Sequence, residues 1–426
     1  MKLIRRPGYG QDVSRPTRGG APSPVAVDAG GVRAVNLARV LSAALACPTP
    51  PTRADLALAT ATTRATAARL VDDLLAGGLL EELGAQAGRP RGPGRPGTPL
   101  GPGSTLGALG LQVDVDRVAA VVVDLTGAVR AERVEDDDLR GSRPAPVLRR
   151  LARLAHRALA DAPDVLVVGA RLALPGIVAD DGVLLRAPNL GWSDVPVAEL
   201  LPDLPGLAAV AVGNEAELAA VPISFAAPGR PGTHRDFVYL SGSTGIGGAV
   251  VLDGHPVRGR HGWAGEVGHV TVDPAGPACA CGSTGCLEQY AGARALAAAA
   301  GLPETTRTSE VARRATAGDA RAREAVERAA AGLGIALSAV VNVLDVPVIV
   351  LGGHLRELGE LVRPTLERTL GRRVLSAAWV TPVVEVAPER PVAAALGAAY
   401  VELHRLVADP GPWLEGRTAA AVPSGG

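Results

Sequence analysis

Apolar positions along the chain change their period twice, and the changes mark out its organisation. From Val32 to about Cys47 they recur at helical spacing. Thr52–Ala59 predicts a second helix, opened by Thr52 as N-cap with Asp55 three residues on, the pattern of a capping box. After a short break, Thr62–Leu75 predicts a third, with Ala67, Leu70, Val71 and Leu74 on one face. Gly77-Gly78 ends it, and Leu79–Leu83 begins a strand. Residues 84–104 are rich in Gly, Pro and Arg and read as a wing and linker. From about residue 105 strands and helices alternate. Stretches 109–115, 118–125 and 128–134 are β-rich, Pro144–Asp161 is helical, and Val165–Leu174 reads as a buried strand. A second series begins at Phe237. Leu111–Gly127 and Val238–Gly254 share one length and one strand–turn–strand outline, each with an Asp and a Gly near its closing turn. That likeness predicts a duplicated, hairpin-led α/β unit. The expected organisation is a flexible tail over 1–30, a helical head over 31–104, an α/β body over 105–409 with a lobe boundary near 230, and a frayed tail over 410–426.

Composition sharpens this division. The chain has 426 residues, 47% of them hydrophobic, enough for a sizeable core and too apolar for global disorder. Formal net charge is zero, with 43 basic and 43 acidic residues. Residues 1–104 nevertheless carry 13 basic against 7 acidic side chains, so the body holds the matching acidic surplus. Lys2 is the only lysine; with so much Ala, Gly and Pro, arginine by itself says little about function. Four cysteines are too few for a disulfide framework in a chain this long. No apolar run of about 18 residues lacks a charge or a turn breaker, so no membrane span is expected. The basic N-terminus lacks the apolar stretch of a signal peptide, which makes the cytoplasm the expected compartment.

Two short helices, a tight turn, a strand and a basic loop form the pattern of a winged helix-turn-helix. Thr62, Thr63, Arg64 and Thr66 stand at the start of the second helix of that pair, where base edges are met, with Arg69 following. Arg64 can fork to guanine; threonines suit phosphate or a thymine methyl. Gly88-Arg89-Pro90 and Gly94-Arg95-Pro96 would present Arg89 and Arg95 on a slim extended wing suited to a narrow minor groove. An ordinary helical hairpin with an Arg-rich linker is the bland alternative, and the basic surplus favours double-stranded DNA.

Cys279, Cys281 and Cys286 fall within eight residues, and His269 precedes them. Three thiolates and an imidazole suit tetrahedral zinc, and four protein ligands leave no open position, so the metal is expected to be structural. Gly276, Gly282 and Gly285 would let the loop close around it. Cys47 sits apart and reads as core.

These motifs resemble the ROK family of repressors and sugar kinases. The resemblance rests on Thr244-Gly245-Ile246-Gly247-Gly248, Gly265-Glu266-Val267-Gly268-His269, and the run from Cys279 to Glu288. Pro188-Asn189-Leu190-Gly191-Trp192, Asn214-Glu215-Ala216 and Val350-Leu351-Gly352-Gly353 extend it over roughly 105–405. It implies an actin-like, ribonuclease-H-like fold with two lobes and a sugar cleft, here behind a helix-turn-helix as in ROK regulators. It also implies sugar contacts from Asn189, Asn214, Glu215, Glu266, His269 and Glu288. His269 could serve zinc through one ring nitrogen and the sugar through the other; Trp192 could stack on the ring or pack in the core.

The resemblance also bears on catalysis. Family kinases carry Asp as base directly after the sugar-site Asn; this chain has Glu215. Their first phosphate loop reads Asp-x-Gly-x-Thr; this chain has Asp114-Val115-Asp116-Arg117-Val118, without the glycine and the hydroxyl. The second hairpin keeps Thr244, Gly245 and Gly247, with Ser243 in place of a glycine, and the adenosine side keeps Gly352 and Gly353. The expectation is a sensor with a vestigial nucleotide site: ATP absent as cofactor, a sugar effector, a homodimer or homotetramer on DNA. Two alternatives stay open, an ATP-dependent hexose kinase with an accessory head and a constitutive DNA-binding protein. Glu217 stands where relatives often have Asn, so the sugar is not assigned.

Overall fold

A computed structural model describes residues 29–84, 97–242 and 244–421. The head comprises α1 (Ala29–Ala46), α2 (Arg53–Ala59), α3 (Arg64–Ala76), β1 (Leu80–Glu82) and β2 (Leu100–Pro102). Thr52 and Asp55 form the expected reciprocal cap: Asp55 Oδ2 accepts from Thr52 N at 2.8 Å while the Thr52 hydroxyl accepts from Asp55 N. α3 begins at Arg64 because Thr63 is its cap, with extended backbone and a hydroxyl accepting from Thr66 N at 3.1 Å. The turn between α2 and α3 is tight enough to force Ala61 to φ 53°, a left-handed conformation costly for alanine. Ala67, Leu70, Val71 and Leu74 are buried, as the helical spacing requires. β1 and β2 pair antiparallel, Leu80 opposite Pro102. Residues 85–96, which hold Arg89 and Arg95, lie outside the described residues, as do 1–28 and 422–426 of the two expected tails; Ala29 and Gly30 belong to α1.

In the first lobe, β3 (Leu106–Val113), β4 (Arg117–Asp124) and β5 (Val129–Asp136) form an antiparallel meander, followed by α4 (Pro144–Asp161) and β6 (Leu166–Leu174). A small sheet of β7 (Ile177–Val178), β8 (Val183–Ala187) and β9 (Trp192–Pro196), then α5 (Val197–Leu200), leads to β10 (Val210–Asn214). The sheet order is β5-β4-β3-β6-β10, with β3, β6 and β10 parallel. α6 (Glu215–Ser224) and the short pair β11 (Phe225–Ala227) and β12 (Arg230–Pro231) connect to the second lobe. There β13 (Phe237–Ser241), β14 (Gly247–Leu252) and β15 (His255–Pro256) repeat the meander. α7 (Glu288–Ala291), α8 (Ala293–Ala299), α9 (Thr308–Thr316), α10 (Ala320–Leu344), β16 (Val348–Leu351), α11 (Leu355–Arg373) and β17 (Val383–Val386) complete it. Its order, β15-β14-β13-β16-β17, repeats the first sheet strand for strand, as the paired hairpins predict.

Sequence pattern accounts for the layers. Val118 through Val123 is buried without interruption because helices cover both faces of the central strands. β6 departs from the expected buried strand: Leu166 is 53% exposed and only its second half is enclosed. α10 is long and apolar enough to cross a membrane, yet Ala329, Ala330, Leu333, Ala336 and Leu337 are fully buried in the second lobe's core.

The chain then returns. α12 (Ala393–Ala408) lies across the back of the first sheet and against α6, and α13 (Gly411–Ala421) runs on to the head. Gly397 makes the α12–α6 approach possible, since any side chain there would run into the Leu218 carbonyl. The expected frayed tail is thereby corrected over 411–421: Trp413 Nε1 donates to Gly77 O at 3.0 Å and Leu414 packs on Gly77. An exposed Trp–Leu pair would waste apolar area, and the end of α3 covers it. Cys47 is likewise half-buried just past the end of α1, outside the helical core face. Head and body share one core, in which Leu37, Leu41, Leu70 and Leu74 join Ala108, Val121, Ala399 and Leu403.

Candidate functional site

The cysteine loop is built from tight turns. Gly282 and Gly285 have φ of 101° and 62°, and a side chain at Gly285 would strike the Asp273 carbonyl. Cys279 N donates to Ser283 O at 2.8 Å, Gly282 N to Cys279 O at 3.0 Å. His269 ends a 3₁₀ turn, Val267–His269. The four ligand atoms of His269, Cys279, Cys281 and Cys286 lie within 4.8 Å of one another. Cys281 Sγ and Cys286 Sγ are 3.7 Å apart, and Cys279 Sγ is 3.8 Å from His269 Nδ1. A tetrahedral zinc with bonds of about 2.3 Å to sulfur sets ligand atoms roughly 3.8 Å apart, so these residues fit the ion. Gln289 Nε2 donates toward Cys279 Sγ at 3.6 Å, a partner the spacing gave no reason to single out.

His269 turns its other nitrogen away from the sulfurs: Nε2 is 4.0 Å from Glu266 Oε2. Both groups line a cavity of about 90 Å³, together with Asn189, Asn214, Glu215 and Glu288. All six residues expected around a sugar therefore meet in one place. Their freedom differs. Asn214 Oδ1 accepts from Ala216 N and Glu217 N at 2.8 and 3.1 Å, capping α6, and Nδ2 donates to Gly176 O at 2.9 Å, which leaves one N–H for a ligand. Glu288 Oε2 accepts from Ile246 N at 3.2 Å, and a side chain at Gly245 would run into that carboxylate. Burial pushes the Glu266 carboxyl up from its usual range. Trp192 is core: it is 2% exposed and Nε1 donates to Ser142 O at 2.8 Å.

The small cavity opens, past Val115, Glu215, Ser241 and Gly242, into a cleft of about 1140 Å³ between the lobes. Asp114, Thr244 and Gly353 line the cleft, Gly245 and Gly247 the small cavity; Gly352 lines neither. At the turn between β3 and β4, Arg117 is spent on its neighbour, with Nε and a terminal nitrogen each 2.9 Å from the Asp116 carboxylate. Glu215 faces this turn. Burial, then the charges of Asp114 and Asp116, raise its carboxyl well above the ordinary range. Asp114, Asp116 and Glu215 thus set three carboxyl groups at one turn.

On the head, Arg64 and Arg69 are exposed and have no ion-pair partner among the described residues. The hydroxyls of Thr62, Thr63 and Thr66 are engaged locally: Thr62 with Thr60 at 3.0 Å, Thr63 with Thr66 at 2.9 Å. Sequence reasoning missed His354 and Trp413. A lone His after a Gly pair, and one of four tryptophans standing in a supposed tail, were the available signals.

The geometry defines a two-lobed α/β sugar-kinase fold with a Cys₃His loop beside a small polar cavity, carrying an N-terminal helical head. Residues 108–405 match the ROK family, and the chain belongs to it. It is 27% identical over 366 residues to a xylose repressor of Caldicellulosiruptor bescii, covering 82% of this chain and 90% of that protein. The crystal structure of a ROK family transcriptional regulator, a homologue of the E. coli MLC protein, superposes with a TM-score of 0.72 at 22% identity. It covers 92% of this chain and 100% of its own, a likeness of fold that takes in the head. A ROK hexokinase from Thermus thermophilus superposes with a TM-score of 0.58 at 34% identity, over 70% of this chain and 99% of its own.

Proposed function

We propose that the protein is a sugar-responsive transcriptional repressor of carbohydrate-use genes. The observation that carries this is a ROK body with Asp116 and Val118 in place of the family's phosphate-loop Gly and Thr and with Glu215 at the family's base position, fused to a helical head. Similarity to a xylose repressor over head and body supports it. The sugar is held by Asn189, Asn214, Glu215, Glu266, His269 and Glu288 in the small cavity. His269, Cys279, Cys281 and Cys286 hold a zinc ion, whose role is to fix the loop that aims His269 Nε2 at the ligand. ATP is not a cofactor.

The head reads double-stranded operator DNA as a winged helix-turn-helix. Arg64 and Arg69 meet the major groove at the exposed start of α3, Thr62, Thr63 and Thr66 set its entry, and Arg89 and Arg95 reach the adjacent groove. A homodimer or homotetramer in the cytoplasm would place two heads on half-sites about one or two helical turns apart. Sugar acts only through unequal affinity for two arrangements of the lobes and heads.

Selection of bound sequences from genomic DNA, followed by titration of D-xylose and D-glucose, tests this. A sugar that changes operator affinity, and that at 100 times its Kd adds about 2.7 kcal/mol of stability, is the expected result. No operator, or an operator indifferent to every sugar tried, rejects it. The hexokinase likeness at 34% identity favours one competing reading, an ATP-dependent hexose kinase. Turnover in an ATP-coupled assay with hexoses would establish that reading.

A further inference from the structure

We infer that His354 is a positioning residue for the sugar cavity, whose ring bridges the helix bearing Glu288 and the turn of the second hairpin. His354 follows Gly352-Gly353 after β16 and is 9% exposed. Its Nδ1 lies 2.9 Å from Gly242 O and its Nε2 2.9 Å from Ala291 O. A carbonyl oxygen only accepts, so a ring carrying one hydrogen donates to one of these two carbonyls. The backbone reinforces the placement, since His354 N also donates to Gly242 O, at 3.0 Å.

Gly242 lines the sugar cavity, and Ala291 stands on the helix that begins with Glu288, which also lines it. Gly242 opens the turn that carries Gly245 and Ile246; Ala291 ends α7, which begins with Glu288. Ile246 N holds Glu288 Oε2 at 3.2 Å from the front. His354 closes the bracket from behind. It lines the large cleft and not the small cavity, so it acts through Glu288 and does not touch the ligand. The charged groups on the elements around it are Glu288 on α7, Arg294 on α8, and, in the first turn of α11, Arg356 and Glu357; β13, β16 and the described part of the turn contribute none. The effect on ligand affinity rests on the sugar-sensor reading. The clamp itself rests on geometry alone.

Two measurements on the full chain separate these. Hydrogen exchange follows the Ile246 amide in wild type and in His354→Gln. Calorimetry with D-xylose and D-glucose compares the same proteins, and zinc content checks that the loop is intact. The clamp predicts faster Ile246 exchange in His354→Gln, about tenfold or more weaker sugar binding, and unchanged zinc. Unchanged Ile246 exchange overturns the clamp. Equal sugar affinity in both proteins overturns its positioning role. Faster exchange in a protein that binds neither sugar supports the clamp and counts against the sensor reading.

Discussion

Glu215 and Glu217 occupy the first turn of α6, where an exposed carboxylate gains from the helix dipole. Burial outweighs that gain at both. The Glu217 carboxyl is pushed up from 4.5 to about 7, with Arg258 at 3.4 Å pulling the other way. A carboxyl that holds its proton more tightly folded than unfolded stabilises most below about pH 4.5, and that contribution is lost as pH rises through 7. At about 1.4 kcal/mol per pH unit the loss is roughly 3 kcal/mol. Glu217→Gln should flatten the curve of melting temperature against pH between 5 and 8; a curve parallel to wild type would contradict this. Cys286 is fully buried, and Cys286→Ser should bring zinc well below one equivalent in protein prepared without added metal, with a marked fall in melting temperature. Full metal content in that variant would remove Cys286 from the ligand set. The two sites differ in legibility. The cysteine cluster shows in the sequence because its spacing is local. The state of Glu217 does not, because its burial and the charges that act on it, Arg258, Glu266 and Arg171, come from the folded chain.

Helices α3 and α13 meet end to flank. The sequence placed α3 within two residues, because caps and helical periodicity are local signals. It missed α13, whose only reason to fold is the apolar site at Gly77 that covers Trp413 and Leu414. Leu414→Ala should cost about 2–3 kcal/mol by leaving a cavity against α3. Because α13 continues α12, which packs on α6 below the sugar cavity, the same substitution should weaken DNA binding, or uncouple it from sugar, more than its stability cost predicts. Gel-shift titration at a temperature where the variant is folded distinguishes this from plain destabilisation. Thr63→Ala, by contrast, should cost about 1 kcal/mol through loss of the α3 cap alone.

At the scale of the molecule, head and first lobe unfold together. The sequence suggested a head tethered by a Gly/Pro linker, yet Leu37, Leu41, Leu70 and Leu74 complete a core with β3, β4 and α12. Calorimetry should therefore show no separate low-temperature transition for the head; a distinct early transition, absent from protein lacking residues 1–104, would refute a shared core. Any movement of the first lobe would reach the head through this continuous core. Operator affinity should fall steeply with salt, since the modest basic surplus of the first 104 residues works through phosphate neutralisation.

The sequence alone determined what depends on neighbours along the chain: three head helices and the Thr52–Asp55 cap, the His269–Cys279–Cys281–Cys286 cluster that could hold a metal, the hairpin repeat that became two sheets of one order, and the loss of the phosphate-loop glycine. Only the tertiary structure decided what depends on distant partners. It brought the six candidate sugar-site residues from four segments into one cavity, raised the Glu215 carboxyl by burial and by the charges of Asp114 and Asp116, spent Asn214 on a helix cap, moved Trp192 into the core, and folded the C-terminal segment onto α3. Local patterns carry short-range sterics and hydrogen bonding; burial and charge pairing are properties of groups that meet only when the chain has closed.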